Sequence, residues 1–289
     1  MLLVMGLGYS GMAAARLAAA EGWRVAGTAR DPSRVPAPAG VEVAPFAAPP
    51  IADASHLLVT APPGAAGDPV LAAHRPALDA ALAAGTLRWI GYISTTGVYG
   101  DRGGDWVDEA TPPAPGQDRS RRRLDAEDSW RKLVAGRAAL DLMRAGGIYG
   151  PGRSPFDDLR AGTARRVAKP GHAFSRIHRD DIALAVLAAI GQDLPPAARV
   201  LHLVDDEPAE NAAVIAHAAA LLGLPAPPVI PFAEARARMS PMALSFWAEN
   251  RRVANAATKA ALGIAWRYPS YREGLEAILA EERREGLAQ

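Results

Sequence analysis

Met1-Leu2-Leu3-Val4-Met5-Gly6-Leu7-Gly8-Tyr9-Ser10-Gly11-Met12 opens the chain. Met1 to Met5 is an apolar run ended by glycine, the pattern of a buried strand. Met12 to Glu21 is Ala-rich with Leu17, a good helix former. Between them Gly6, Gly8 and Gly11 form G-x-G-x-x-G, directly after a strand and directly before a helix. That context is what a dinucleotide-binding turn requires. The first glycine allows the tight turn, the second lets a pyrophosphate approach the backbone, and the third lets helix and strand pack closely. Unpaired N–H groups and a partial positive charge at the helix N-terminus then face the phosphates. The competing reading is a glycine-rich turn in some other α/β protein, so the pattern around it matters.

That pattern alternates. Trp23–Thr28, Val41–Val43, Leu57–Thr60, Leu87–Ser94 and Ala138–Met143 read as further strands. Asp68–Ala84 and Asp118–Val134 read as helices, the second N-capped by Asp118. The rhythm predicts an α/β fold, a doubly wound parallel Rossmann sheet with helices on both faces. Beyond about Tyr149 it loosens into a helix at Asp181–Ile190 capped by Asp180, a strand at Val200–Val204 and a helix at Asn211–Leu222. The expected organisation is an NAD(P)-binding domain over residues 1–150. Residues 151–289 then form a smaller interwoven C-terminal substrate lobe, with parts returning to the sheet.

Composition narrows the function. The chain has 289 residues, 32 Lys and Arg against 31 Asp and Glu, and a net charge of +1. Bulk electrostatics therefore gives no case for a nucleic-acid partner. With no cysteine there is no disulfide framework, thiolate nucleophile or Cys-bound zinc. Asp180 and Asp181 read as a helix start, so no metal is expected. The longest apolar stretch, Ile182 to Ile190, is about half the ~20 residues of a membrane span, and the N-terminus lacks the basic region of an export signal. A cytoplasmic protein with a small-molecule substrate and no membrane partner is the expectation. The basic run Arg119 to Arg123 shares its helix with Asp125, Glu127 and Asp128, and so reads first as a solvated face; an anionic ligand is the other reading.

The end of the second strand selects the dinucleotide. A carboxylate about 20 residues past the glycines would hold the ribose 2′-hydroxyl of NAD. Here the strand ends Gly27-Thr28-Ala29-Arg30, with Arg34 close behind. A guanidinium suits a 2′-phosphate, which favours NADP over NAD, with Thr28, Arg30 and Arg34 as its contacts. Asp31 is the complication, because a small shift in register would place it at the ribose.

Four later segments resemble one family. Tyr92-Ile93-Ser94-Thr95-Thr96-Gly97-Val98-Tyr99-Gly100 is similar to the fifth-strand motif of the extended short-chain dehydrogenase/reductases, the NAD(P)-dependent epimerase/dehydratase enzymes. Gly147-Ile148-Tyr149-Gly150-Pro151-Gly152 resembles their loop after the sixth strand. Phe174 to Ile182 resembles the segment leading into a later helix, and Leu262-Gly263, Tyr268-Pro269 and Gly274-Leu275 resemble their C-terminal ending. The resemblance covers nearly the whole chain. It implies a Ser or Thr after the fifth strand and a Tyr-x-x-x-Lys on the next helix, the Tyr moving a proton at a carbonyl or hydroxyl and the Lys holding the nicotinamide ribose. Here the Ser/Thr position is Thr95, the Lys position is Arg123 and the Tyr position is Arg119. The pair is therefore absent, as in atypical members of the superfamily. A guanidinium does not release its proton near neutrality.

The resulting site assignment names Thr95, Tyr99 and Arg123 as catalytic candidates. Gly6, Gly8, Tyr9, Ser10, Gly11, Ala61, Pro62 and Ile148 join Thr28, Arg30, Arg34, Thr95 and Arg123 around the cofactor. Thr96, Tyr99, Tyr149, Arg153, Arg176 and His178 face the substrate. Tyr99 and Tyr149 have a blander reading as core aromatics, and His178 as a packing residue beneath a loop. The expected function is an NADP-dependent oxidoreductase or epimerase acting on a small hydroxyl or carbonyl compound or a nucleotide sugar. The alternative is a catalytically silent NADP(H) sensor. Analogy with related folds points to a homodimer.

Overall fold

The computed structural model describes residues 1–284 and 286. Seven strands form one sheet: β1 (Leu2–Met5), β2 (Val25–Ala29), β3 (Val41–Pro45), β4 (His56–Val59), β5 (Trp89–Thr95), β6 (Ala139–Ala145) and β7 (Ala198–Leu203). Their spatial order is β7-β6-β5-β4-β1-β2-β3, and every neighbouring pair is parallel. β1, β4 and β6 are buried along their whole length, as strands covered on both faces must be. The winding reverses between β1 and β4. Loops leaving those two carboxyl ends run apart and open a crevice there.

Two helical layers cover the sheet. On one face α1 (Tyr9–Ala20) meets α4 (Arg179–Ile190), Ala14, Ala15 and Ala18 sharing a core with Ile182, Ala185 and Ala189. On the other, α2 (Pro69–Ala83) and α3 (Asp118–Val134) place Leu78, Trp130 and Leu133 over Leu57, Ile90 and Leu140. Asp68 starts α2 by accepting the N–H groups of Val70 and Leu71 at 2.9 and 3.0 Å, and its other oxygen takes the Trp130 indole N–H at 3.2 Å.

Residues 179–203 thus belong to the sheet and its helical layer, although they lie beyond the loosening of the pattern at Tyr149. The remaining C-terminal residues build a smaller lobe from α5 (Asn211–Leu221), α6 (Tyr271–Arg284) and a short helix at Pro155–Arg160. These close around Tyr149, Phe156, Ile215 and Leu275. Motifs distant in sequence meet here. The Asp181 carboxylate accepts the N–H groups of Arg267 and Tyr268 at 2.7 and 3.1 Å. At Gly274 a Cβ would lie only 2.1 Å from the Tyr149 hydroxyl, so α6 can dock on Tyr149 only with glycine there.

Two helix starts differ from expectation. Gln117, not Asp118, is the N-cap of α3, and Asp118 is the first helical residue, its carboxylate bound by Arg121 at 2.5 Å. His178, not Asp180, caps α4, its Nδ1 accepting the Asp180 N–H at 3.2 Å. In both cases the expected acid is already paired, Asp118 with Arg121 and Asp180 with Arg179, and the cap falls to a residue before it.

A buried polar chain ties α3 to β5, β6 and β7. Glu127 on α3 accepts two bonds from Arg144 on β6, Nε to Oε1 at 3.1 Å and Nη2 to Oε2 at 2.7 Å. Ser94 donates to Glu127 at 2.5 Å, and Arg144 Nη1 donates to the Tyr99 hydroxyl at 2.8 Å. The Tyr99 hydroxyl meets His202 Nε2 at 2.5 Å. Glu127 and Arg144 are 0% and 3% exposed, so removing one partner leaves a stranded charge. Glu127→Ala should lower stability by about 3–5 kcal/mol, read by urea denaturation. The double variant Glu127→Leu/Arg144→Met should recover most of that loss.

Candidate functional site

The turn after β1 is held by two threonines. Thr28 at the end of β2 accepts the Gly6 N–H on Oγ1 at 3.1 Å, and Thr60 after β4 donates its hydroxyl to the Gly6 carbonyl at 2.6 Å. The Leu7 N–H also bonds the Thr28 carbonyl at 2.8 Å. Gly6 has φ +113°, a conformation that favours glycine. A Cβ at Gly11 would stand 2.2 Å from the Gly6 carbonyl oxygen, whereas one at Gly8 would meet nothing within 4 Å. One glycine thus closes the helix onto the strand, and another leaves space in front of the helix. Gly8 is also the N-cap of α1, which has no side-chain cap bond and no acidic residue in its first turn. Its leading N–H groups remain free for an anion.

Thr28 is therefore a support of the turn and not a cofactor contact: it is 0% exposed and its hydroxyl faces Gly6. Arg30 and Arg34 are exposed beyond the end of β2. Asp31 is occupied, its carboxylate accepting the Ser33 N–H at 3.1 Å and the Ser33 hydroxyl at 2.6 Å. Tyr9 reaches across to donate to the Pro151 carbonyl at 3.0 Å. The Arg153 and Arg179 guanidinium groups lie 5.7 and 5.0 Å from its ring centroid. Ser10 is half-buried in the first turn of α1, and Ala61 backs Gly6 at the end of β4.

A cleft of about 850 Å³ runs from Pro62 and Pro63, after β4, along the carboxyl ends of β5 and β6 to the smaller lobe. Pro62, Thr95, Thr96, Arg123, Ile148, Tyr149, Arg153 and Arg176 all line it. Thr95 caps the turn that follows β5, its Oγ1 accepting the Gly97 N–H at 3.1 Å. Arg123 Nη1 donates to the Ile93 carbonyl at 2.9 Å and to the Tyr92 hydroxyl at 3.2 Å. The Tyr149 hydroxyl donates to the Ser270 carbonyl at 3.2 Å, and burial pushes its pKa up.

Of the expected catalytic and substrate residues, two do not reach the cleft. Tyr99 is 0% exposed, its hydroxyl enclosed between Arg144 and His202. His178 is 1% exposed, packed edge-on to Tyr149 and tilted against Tyr268 with centroids 5.2 and 4.2 Å away. Burial pulls His178 down to about 4, so it is neutral at pH 7 and has no path to a reacting group. Sequence reasoning missed Thr60, Ser120, Glu249 and Arg251. Ser120 and the ion pair of Glu249 with Arg251 (2.9 Å) also line the cleft.

No family model matches the chain. Protein YeeZ of Escherichia coli K12 is 30% identical over 200 residues, covering 63% of this chain and 70% of that protein. A 3-diazoavenalumate denitrifying reductase of a Streptomyces species is 35% identical over 158 residues, about half of each chain. A solved, functionally unknown conserved protein of Silicibacter pomeroyi superposes with TM-score 0.86 at 43% identity, covering 97% of this chain and 98% of that one. A Methylobacillus flagellatus protein described as an NAD-dependent epimerase/dehydratase gives TM-score 0.70 at 27% identity, with 98% of each chain covered. Human epimerase family protein SDR39U1, solved with NADPH, shares the fold at TM-score 0.73 and 19% identity over 96% of this chain and 99% of that one. The chain is an atypical member of the short-chain dehydrogenase/reductase family.

Arg119 stands on α3 where the resemblance places the family's tyrosine, and it packs against Met242 and Phe246. Its Nη1 lies 3.4 Å from the Met242 sulfur and its guanidinium stacks 4.1 Å from the Phe246 centroid. Arg123, one turn on, stays at the cleft wall. The glycine turn separates two roles that substitution can resolve. Gly8→Ala, at φ −82°, should leave the melting temperature unchanged while weakening dinucleotide binding by about tenfold or more, ~1.4 kcal/mol. Gly11→Ala should destabilise the fold itself by roughly 1–3 kcal/mol. Calorimetric binding and thermal melts of both variants check this.

Proposed function

We propose that the chain is an NADP(H)-dependent oxidoreductase acting on a small hydroxyl or carbonyl compound. The observation that carries this reading is juxtaposition. The helix start left open at Gly8 sits at the strand switch point, where doubly wound sheets bind their ligands, and Pro62, which follows the neighbouring strand β4, lines the same cleft as Thr95 and Arg123. Gly8 and the first turn of α1 fit a diphosphate. Arg30 and Arg34, exposed at the end of β2, suit a 2′-phosphate, and the bonds from Ser33 already engage the Asp31 carboxylate that would prefer a 2′-hydroxyl. Arg123 would hold the nicotinamide ribose. When bound, the nicotinamide ring supplies or accepts a hydride. Thr95 uses its oxygen as an acceptor for Gly97 and so keeps its own hydrogen free to orient a substrate oxygen. A proton needed there would come from Thr95 or water, because Arg119 cannot give one. The relative named as a reductase favours reduction over epimerisation.

A second reading is a silent NADP(H) sensor. Arg119 in the place of the family's tyrosine favours it, since cofactor binding needs no proton donor.

NADPH should bind about tenfold or more tightly than NADH, and Arg30→Ala should erase most of that difference. Isothermal titration measures both. NADPH consumption with a panel of aldehydes, ketones and sugar nucleotides then supports the reductase, whereas tight binding with none consumed supports the sensor. Absence of affinity for any pyridine nucleotide would falsify both readings.

A further inference from the structure

Among the described residues, five arginines line the cleft: Arg119, Arg123, Arg153, Arg176 and Arg251. Arg123 spends Nη1 on the Ile93 carbonyl and the Tyr92 hydroxyl, Arg153 lies over the Tyr9 ring, and Arg176 lies over Phe174 at 5.5 Å. Arg251 is neutralised by Glu249 at 2.9 Å, and Arg119 stacks on Phe246. Arg176 spends one nitrogen on the backbone: Nη1 donates to the Phe174 and Ala209 carbonyls at 2.8 and 2.9 Å. Among the described residues, its Nε and Nη2 have no hydrogen-bond partner, and no carboxylate lies within 4 Å of the guanidinium. The side chain is part-buried in the cleft wall. A part-buried guanidinium with a free edge facing a cleft suits an anion.

The nearest acid does not supply it. Asp205 follows β7, its N–H donating to the Arg176 carbonyl at 2.6 Å. Its carboxylate is 1% exposed, and neither oxygen has a hydrogen-bond partner. The amide groups of Arg176 and Glu207 lie near it without closing a bond. Burial, reinforced by Asp206, pushes Asp205 up to about 8 against the pull of Arg176. At neutral pH it is therefore protonated and leaves the charge of Arg176 uncompensated. Tyr149 and Tyr271 are the other titratable groups facing this pair, and both are neutral there.

The free edge and its flanks define the ligand. Nε and Nη2 form one planar fork, which matches the two oxygens of a carboxylate. Around it the cleft is lined by Phe174, Val214, Ile215 and Leu275. A diphosphate is the competing anion, since Arg119, Arg123 and Arg153 line the same cleft, but the apolar flanks beside Arg176 favour the carboxylate of an organic acid.

We propose that Arg176 is the anchor of an organic carboxylate substrate, whose apolar body packs on Phe174, Val214, Ile215 and Leu275. This rests on the cleft being a substrate site beside a bound nicotinamide nucleotide, and it narrows the substrate to an acid. Arg176 sets specificity and takes no part in the chemical step.

The test titrates the full chain with benzoate, 4-hydroxycinnamate, the methyl esters of both acids, and UDP, with NADPH affinity measured on the same samples. At least one acid should bind about tenfold or more tightly than its ester. Arg176→Gln should weaken the acid about 10–100-fold, as expected for a lost charge-assisted pair, while leaving ester and NADPH affinities unchanged. Because Arg176 also holds two carbonyls, a second measurement avoids changing it. As the pH rises through about 8, Asp205 ionises and neutralises its neighbour, so acid affinity of the unmodified protein should fall, and Asp205→Asn should remove that fall. Equal affinity for acid and ester, no binding of either acid, or UDP binding that is tighter than the acid and lost in Arg176→Gln would each overturn the proposal. Retained NADPH binding in those cases would leave the oxidoreductase reading standing, whereas its loss in the unmodified protein would remove that reading separately.

Discussion

The contact on which this molecule depends is the approach of the Gly6 carbonyl to the α-carbon of Gly11. No side chain fits between them. The approach fixes how α1 leaves β1, and so decides where the helix N-terminus points. Thr28 and Thr60, from the strands on either side of β1, grip the two ends of the Gly6 residue. Three adjacent strands thereby share responsibility for one turn. The close approach stiffens the backbone where it is strained by a positive φ, and the unfilled space at Gly8 is left to a ligand. Rigidity and vacancy arise from the same glycine spacing, and a site built on rigid elements costs less ordering when a ligand arrives.

The same economy explains the fate of the polar residues after β5. Tyr99 follows the strand in the stretch where the family's motif runs, yet it is sealed behind the cleft. Arg144 and His202 both claim its hydroxyl, and Arg144 is itself committed to Glu127. Buried polar groups retain their position only when each has a partner. The chain Ser94, Glu127, Arg144, Tyr99, His202 satisfies that condition and pulls the phenol inward. Arg119 meanwhile swings onto Phe246 and Met242, where its stem can lie on apolar surface. The cleft thus lacks a phenol at the Tyr99 and Arg119 positions, and the Tyr149 hydroxyl that lines it is spent on the Ser270 carbonyl.

Much of this was legible from the order of residues, for reasons that can be named. Gly6, Gly8 and Gly11 were readable because their spacing has one backbone solution, and the strands of the sheet because apolar runs of that length between turns have few alternatives. Thr28 and Thr60 were not readable as a clamp, since a threonine ending an apolar strand carries no pattern of its own. The role of Thr28 was instead assigned to the cofactor. Tyr99 and His178 were misplaced because their orientation is set by residues on other elements, Arg144 and His202 for one, Tyr149 and Tyr268 for the other. The clue that did exist was the presence of Asp141 and Arg144 within the buried strand β6. Charges in such a strand announce buried partners, but not which ones. Arg199 and Trp89 for Asp141, and Glu127 for Arg144, become visible only once the strands are laid side by side.

Charge placement along the crevice completes the argument. At the dinucleotide end the positive potential comes from a helix start and from exposed arginines, in contact with water and screened by salt. At the far end it comes from Arg176, set among apolar side chains beside an acid that burial keeps neutral. A charge in that second setting discriminates more sharply, because a ligand lacking the matching group leaves a buried cation unpaired. The two ends therefore serve different purposes. On the proposed reading, the outer charges would gather a polyanionic cofactor and the inner one would select among small molecules. On the oxidoreductase reading, a chain with Arg119 in place of the family's tyrosine would still need its substrate held in one orientation against a fixed ring. A single fork at the end of an apolar slot can supply that orientation without a proton donor beside the reacting atom.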